Sequence, residues 1–275
     1  MTGQYNITSS IHIGVGMKLE EQKEELATFI KVGLIVLCCF VIFGLGMTYV
    51  PTAVPASSNS SKDLPIYCVD TNEKKVSITF DAAWGNEDLP KILECLKKYD
   101  VKATFFMTGG WIEKFPDDVK AIAAAGHDMG NHSENHKHMS ALSSAECVTE
   151  IMKAHDRVKQ LTGKDMILFR APYGDYNNTV VKAARSSNYH TIQWDVDSLD
   201  WKDYGVESII NKVTNHKHLG NGSIILMHNG AKYTLEALPG VIEGLQKKGY
   251  QIVPVSQLIY KDNYEMDVEG RQHKK

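Results

Sequence analysis

Beyond Glu73 the chain alternates short apolar runs with amphipathic segments, and this alternation constrains the fold more than any other feature. Val76–Phe80, Ala103–Met107, His127–Gly130, Met166–Phe169, Tyr189–Asp195, Ser223–Met227 and Gln251–Val253 read as strands. Helices are predicted between them over Leu89–Tyr99, Pro116–Ala125, Ser143–Leu161, Thr179–Ser186, Val206–His216 and Leu235–Lys248. In the first of these, Leu89, Ile92, Leu93 and Leu96 recur at the helical spacing. Strict alternation implies parallel strands covered by helices, an α/β fold. The strand count falls one short of a complete eight-fold barrel. An open doubly wound sheet is the alternative, but no Gly-rich phosphate turn joins a strand to a helix. The GxSxG and HExxH signatures are absent too.

The 275 residues carry 30 Lys and Arg against 33 Asp and Glu. No broad basic surface follows from that balance, so no nucleic-acid partner is expected. Near the N-terminus, Val32–Val50 reads VGLIVLCCFVIFGLGMTYV without a charge. As a helix with ~1.5 Å rise per residue it would be roughly 28 Å long, close to a ~30 Å hydrocarbon core. A single transmembrane helix is therefore predicted. A cleavable signal peptide, with a shorter apolar region and Val54 and Ala56 near the cut, is the alternative. Lys18, Lys23 and Lys31 precede the run, whereas only Lys62 follows closely. That bias puts the N-terminus inside, with everything after Val50 extracytoplasmic on a single-pass cell-membrane anchor. The expected organisation is a cytoplasmic segment 1–31, an anchor 32–50, a Pro/Ser-rich linker 51–72, a domain 73–260 and a charged, frayed tail 261–275. Cys68, Cys95 and Cys147 are an odd number outside the span, so at least one thiol stays out of any intramolecular bridge.

In parallel barrels, chemistry collects on the loops that leave the carboxyl ends of the strands. Here Asp81 follows the first strand, His132 and His136 follow the third, and Arg170 follows the fourth. Asp197, Asp200 and Trp201 follow the fifth, and His228 follows the sixth directly. Taken singly, each has an ordinary structural use. A post-strand Asp caps turns, paired surface histidines are common, an Arg makes surface ion pairs, Trp201 packs, and His228 suits a satisfied core position. Five loops converging on one face is a harder pattern to assign to packing alone.

Five ordered motifs carry a resemblance: TFDAAW (Thr79–Trp84), HSENH (His132–His136), RAPY (Arg170–Tyr173), DSLDW (Asp197–Trp201) and LMH (Leu226–His228). With GHDMGNHS they resemble the polysaccharide deacetylases, the NodB-homology domain of carbohydrate esterase family 4, over roughly Lys75 to Tyr260. The anchor and TFDAAWGNED are most similar to the sporulation-type, PdaB-like branch. The resemblance implies a distorted, incomplete (β/α) barrel and a metal-dependent hydrolase. Its reaction would be removal of N-acetyl groups from cell-wall polysaccharide, peptidoglycan by family and compartment. It implies a divalent cation (zinc, cobalt or manganese) on His132 and His136, Asp81 as base with Arg170 holding it, and His228 as acid with Asp200 orienting it. Tyr173 would serve the oxyanion through its backbone N–H, and Trp201 and Leu226 would line the cleft.

One position departs from the family pattern. Where the family has a second consecutive Asp as metal ligand, this chain has Ala82. Asp81 itself, Glu87 or Asp88, or His138 could take up the vacated role; otherwise no metal binds and catalysis is lost. The competing expectation is thus a catalytically impaired, glycan-binding or morphogenetic protein. De-O-acetylation of an ester such as xylan is a third possibility.

Overall fold

The computed structural model describes Ile30, Lys31, Gly33 and Leu34, which are helical, and residues 62–275. The chain divides into units Met1–Ser61 and Lys62–Lys275, and the second holds everything that follows. Apart from Gly33 and Leu34, the predicted span 32–50 lies outside the described residues. Among the described residues, no helix is long and apolar enough to cross a membrane.

The unit opens with strand β1 (Cys68–Val69) and the long central strand β2 (Lys75–Ala82). Helix α1 (Leu89–Lys98) buries Leu89, Ile92 and Leu96, the stripe seen in the sequence. Each such side chain contributes about 1.5–3 kcal/mol on full burial. Then come β3 (Thr104–Met107), a helix the periodicity did not show, α2 (Gly109–Lys114), and α3 (Pro116–Ala124). Strand β4 (Asp128–Asn131) leads to α4 (Ser144–Thr162). Ser143 and Glu146 close a capping box on α4, and Gly163 ends it in a left-handed conformation (φ 72°). β5 (Leu168–Phe169), α5 (Asn178–Ser186), β6 (His190–Thr191), β7 (Val196–Asp197) and α6 (Val206–Thr214) follow. The unit continues through β8 (Ile224–His228), α7 (Thr234–Lys247), β9 (Gln251–Ile252), α8 (Val255–Leu258), β10 (Tyr264–Met266) and β11 (Arg271–Lys274).

The main sheet runs β6-β5-β4-β3-β2-β8-β7, with β9 also paired to β2. Every one of these pairings is parallel. The seven-strand path curls into a half-barrel whose two edges, β6 and β7, are consecutive in sequence. The expected strand Tyr189–Asp195 therefore holds only the short β6, and β7 begins just beyond its end. The chain leaves one edge at Thr191 and joins the other at Val196, so no single ladder can span it.

Residues of β2 alternate between two environments, as the period of two requires. Val76, Ile78 and Phe80 pack with the helices. Ser77, Thr79 and Asp81 stand on the other face, where Ser77 donates to Val253 O at 2.8 Å and Thr79 to Ile225 O at 2.7 Å. A second core, including Phe106, Leu168, Ile192, Ile224 and Val255, is separate from the helix-side one.

Two boundary expectations are corrected. Linker residues from Lys62 onward belong to the compact unit: Ile66 bridges Ile192, and Cys68 bridges Ser223. The tail 261–275 is not frayed, because β11 pairs antiparallel with β10 and parallel with β1. Gln272 is fully buried there and exchanges bonds with Tyr260, accepting from its N–H at 2.8 Å and donating to its carbonyl. His273 reaches Asp70 and Asp267 at 2.9 and 3.1 Å. One buried Gln and one His turned a charged string into a strand. Cys68, Cys95 and Cys147 are all free thiols, more than the one that the odd count required.

Candidate active site

A cleft of about 410 Å³ opens at the carboxyl ends of the strands, lined by Asp81, His132, His136, Tyr173, Trp201, Leu226 and His228. Arg170 and Asp200 lie fully buried behind it. All nine candidate residues are thus gathered at one place.

Arg170 Nη1 donates to Asp81 Oδ1 at 2.7 Å and to Thr79 Oγ1 at 2.9 Å, while Nη2 donates to Gln193 O at 3.1 Å. Its guanidinium lies 4.1 Å from the Phe106 ring centre and 5.4 Å from that of Trp194. Burial pushes the Asp81 carboxyl up, but the Arg170 charge, helped by His228, outweighs it and holds the group below the usual carboxylate value. Asp81 is therefore an ionised base with one oxygen engaged. Its Oδ2 lies 3.6 Å from His132 Nε2.

His132 Nδ1 is 2.8 Å from the Arg170 carbonyl oxygen, an acceptor only, so Nδ1 carries the proton and Nε2 holds a lone pair. The His132 and His136 rings are 5.0 Å apart. Burial pushes both imidazoles down, His136 to about 4 with the neighbouring His132 assisting, so both are neutral. Their loop is braced from behind. Arg157 grips Glu134 through Nε and Nη2 at 3.0 and 2.8 Å, and Glu150 accepts from the Asn135 N–H and Nδ2, both at 2.8 Å. The first amides of α2 hold the same loop, Gly109 donating to Ser133 O at 2.9 Å and Gly110 to Glu134 O at 3.1 Å.

His228 Nδ1 lies 2.8 Å from Asp200 Oδ1, and the His228 backbone N–H donates to Oδ2 at 2.7 Å. Thr234 adds a hydroxyl to Oδ2. Burial pushes the His228 imidazole down, but the Asp200 bond and charge more than offset it, and the net shift is upward. The ring is a proton donor held by a carboxylate, with its other nitrogen left for the cleft.

Trp84, Tyr173 and Trp201 are 58%, 60% and 54% exposed around the opening. The Trp84 ring centre lies 5.6 Å from that of His136 and 6.4 Å from that of His228. Ser133, His136, Tyr173 and Leu199 have φ between 52° and 66°, so backbone strain gathers in these loops. Sequence reasoning quoted Trp84 within a motif without giving it a role, and missed Trp194, Glu134, Arg157 and α2 altogether. The Gly109-Gly110 pair and the acidic residue inside HSENH were the available signals.

The donor set does not complete a three-ligand metal centre. His132 and His136 are two neutral imidazoles fit to bind a cation, but Ala82 offers a buried methyl. No group of three His, Cys, Asp or Glu that could hold a metal occurs among the described residues. The other expected substitutes are engaged elsewhere. Glu87 turns back to the Asn86 N–H at 3.0 Å, Asp88 accepts from Gly230 N–H at 2.7 Å, and His138 stacks on Tyr173 at 4.4 Å. A catalytic zinc usually has three protein ligands plus water.

The site is thus an open parallel half-barrel with a buried carboxylate–guanidinium pair and a carboxylate–imidazole pair at its mouth. Residues 69–192 match the polysaccharide deacetylase family. A peptidoglycan-N-acetylglucosamine deacetylase of Bacillus cereus is 36% identical over 196 residues, 70% of this chain and 91% of that protein. The uncharacterised YlxY of Bacillus subtilis is 34% identical over 71% of this chain, which spans only 60% of YlxY. The crystal structure of BA3943 from Bacillus anthracis, a carbohydrate esterase family 4 pseudoenzyme, superposes with a TM-score of 0.68 at 37% identity, covering 77% of this chain and 73% of that one. The chain belongs to the polysaccharide deacetylase family.

Proposed function

We propose that this chain removes N-acetyl groups from cell-wall glycan of the peptidoglycan type. The observation that carries the reading is the placing of Asp81, anchored by Arg170, and His228, anchored by Asp200, on one cleft. An amide is a poor electrophile with a poor leaving group, so its hydrolysis needs a base, an oxyanion donor and an acid. Asp81 takes a proton from water as the water oxygen bonds the acetyl carbon. The Tyr173 backbone N–H faces the oxygen that gains charge, and His228 protonates the nitrogen as the C–N bond breaks, giving acetate and a free amine. Trp201 and Leu226 line the sugar and its methyl. No step is assigned to a cation, because the donor set stops at two imidazoles.

The test is acetate release from purified peptidoglycan, measured with chelator and with added zinc, cobalt or manganese. Release that Asp81→Ala and His228→Ala each reduce at least ~100-fold supports the reading. Release unchanged in either variant removes that residue from the mechanism. Ala82 favours a second reading, a glycan-binding protein without turnover: binding retained with no acetate under any metal condition would establish it and overturn the first.

The setting belongs to the same proposal. The apolar run 32–50 would anchor the chain with its N-terminus inside and the deacetylase unit outside, in the manner of the sporulation-type branch. Protease digestion of intact protoplasts tests it: a protected unit 62–275 would contradict that orientation.

A further inference from the structure

Asn131 ends β4 and is fully buried directly before His132. Its side-chain amide has only one orientation open to it. Oδ1 accepts from the Ser133 N–H at 2.9 Å, and Nδ2 donates to the Ile151 carbonyl oxygen at 2.7 Å. An N–H only donates and a carbonyl only accepts, so the amide cannot be turned round. Nδ2 also donates to the Tyr189 hydroxyl at 3.2 Å. The hydroxyl, an acceptor there, has its own proton left to give, and His155 Nδ1 lies 2.6 Å away to take it. Burial pushes the Tyr189 hydroxyl well above its ordinary value, so it keeps that proton. The His155 ring then carries its proton on Nε2, which faces Asp165 Oδ1 at 3.3 Å. Every donor and acceptor along this path has a fixed direction.

At its other end the path enters the loop of the two imidazoles. Ser133 and His136 hold φ of 66° and 52°. Side chains in that region cost about 1–3 kcal/mol each and persist only where the surroundings over-determine them. Asn131 Oδ1 fixes the Ser133 N–H, and Ser133 Oγ accepts from the His136 N–H at 3.1 Å. A continuous run of hydrogen bonds thus joins α4, through the Tyr189 hydroxyl, to the strained turn that carries His136. Packing alone does not call for that hydroxyl. The Tyr189 ring belongs to the helix-side core, where its centre lies 6.5 Å from that of Phe169, a place a phenylalanine would fill equally well. A buried phenol and a mostly buried imidazole cost stability unless paired, so the pairing is what their presence explains.

We infer that Tyr189 and His155 are positioning residues for the His136 imidazole, acting through Asn131 and Ser133. Neither is in the wall of the cleft. Without an acceptor at position 155, the hydroxyl turns its proton toward Asn131 Nδ2, donor against donor, and displaces the amide. Without the hydroxyl, Nδ2 is left with Ile151 alone, and the turn loses a bond that defines it. The bearing on turnover rests on the reading of the cleft as a deacetylase site; the placing of the ring does not.

The experiment compares the full chain with Tyr189→Phe, His155→Leu and His155→Asn variants by NMR of the histidine rings and by calorimetric zinc titration. The first variant keeps the ring that packs, and the third keeps an acceptor, since an asparagine carbonyl stands close to where Nδ1 stands. The His136 ring signals are expected to shift in the Phe and Leu variants and to return in the Asn variant. Zinc affinity should fall roughly 10–100-fold in the first two and recover in the third. Ring signals unmoved in Tyr189→Phe overturn the inference. So does a displacement as large in His155→Asn as in His155→Leu, which would assign the effect to packing, and so does a measurable zinc affinity equal in all four chains. Ring signals that move as expected while the unaltered chain releases no acetate with any metal would sink the deacetylase reading and leave the positioning role standing. Acetate release with unmoved rings would do the reverse.

Discussion

His132 donates its Nδ1 proton to the main-chain oxygen of Arg170 at 2.8 Å, so the residue whose guanidinium holds Asp81 also fixes the imidazole facing that carboxylate. One residue from β5's loop thereby sets both the charge state of the base and the tautomer of a potential ligand. Arg170→Met should cost about 3–5 kcal/mol at neutral pH, because it strands a buried carboxylate. Asp81 in the folded chain is held below its ordinary value of 3.8. Its pairing therefore stabilises fully above that value, and the contribution is lost as pH falls through the depressed folded value. Urea unfolding of the unaltered chain and the variant should show a stability gap that narrows in acid. A gap constant across the acid range would contradict the ion pair.

Asp200→Asn acts with the opposite pH sense. His228 in the folded chain is raised above 6.5, the Asp200 bond and charge outweighing burial. Its stabilising contribution is present below 6.5 and is lost as pH rises through the raised folded value. Neutralising Asp200 should move the His228 ring titration to lower pH and cut acetate release by roughly 10²–10⁴-fold, the usual worth of a positioned acid. Proton NMR of the imidazole checks the first effect. A ring that titrates at its former pH in the variant would deny Asp200 its role.

Two imidazoles without a third ligand should bind zinc weakly. Calorimetric titration is expected to give an affinity that Ala82→Asp improves at least about tenfold, through one added carboxylate ligand. His132→Ala should abolish binding in both backgrounds. Equal affinity with and without the new carboxylate would show that position 82 is not where a ligand is missing.

The half-barrel was legible because apolar runs and amphipathic stripes obey their periods: Ile78 and Phe80 face the helices, and Leu89, Ile92 and Leu96 face back. The acid–base residues were legible because each directly follows an apolar run and so sits at the carboxyl end of its strand. What escaped depends on partners distant in sequence. Arg157 and Glu134 are 23 positions apart, and nothing local marks their pairing. The tail reads as solvated charge until Gln272 meets Tyr260 and β1 supplies an edge. Trp194 looked like the end of one strand; only the gap between β6 and β7 turns it into a wall of the cleft.

The loop carrying both imidazoles depends on a glycine for a reason of space. Gly109 has no positive φ to defend, but a Cβ built there would come within 1.8 Å of Glu134 Oε2 and 3.0 Å of Glu134 Cα. Glu134 cannot swing aside freely, because Arg157 Nε and Nη2 hold it and Gly110 N–H holds its carbonyl at 3.1 Å. Gly109→Ala must therefore push the HSENH loop away from α2, at a cost of about 1–3 kcal/mol for overpacking. The neighbouring Gly110→Ala is the matched control, since nothing lies within 4 Å of its added methyl. At this first-turn position, which has no positive φ, that change should be neutral or stabilising by up to ~1 kcal/mol. Thermal unfolding is expected to separate the two variants by several degrees, with the His132 and His136 ring signals displaced only in the first. Coincident melting curves would mean that α2 does not support the loop and that the paired imidazoles owe their placing to its other braces, Arg170, Arg157 and Glu150.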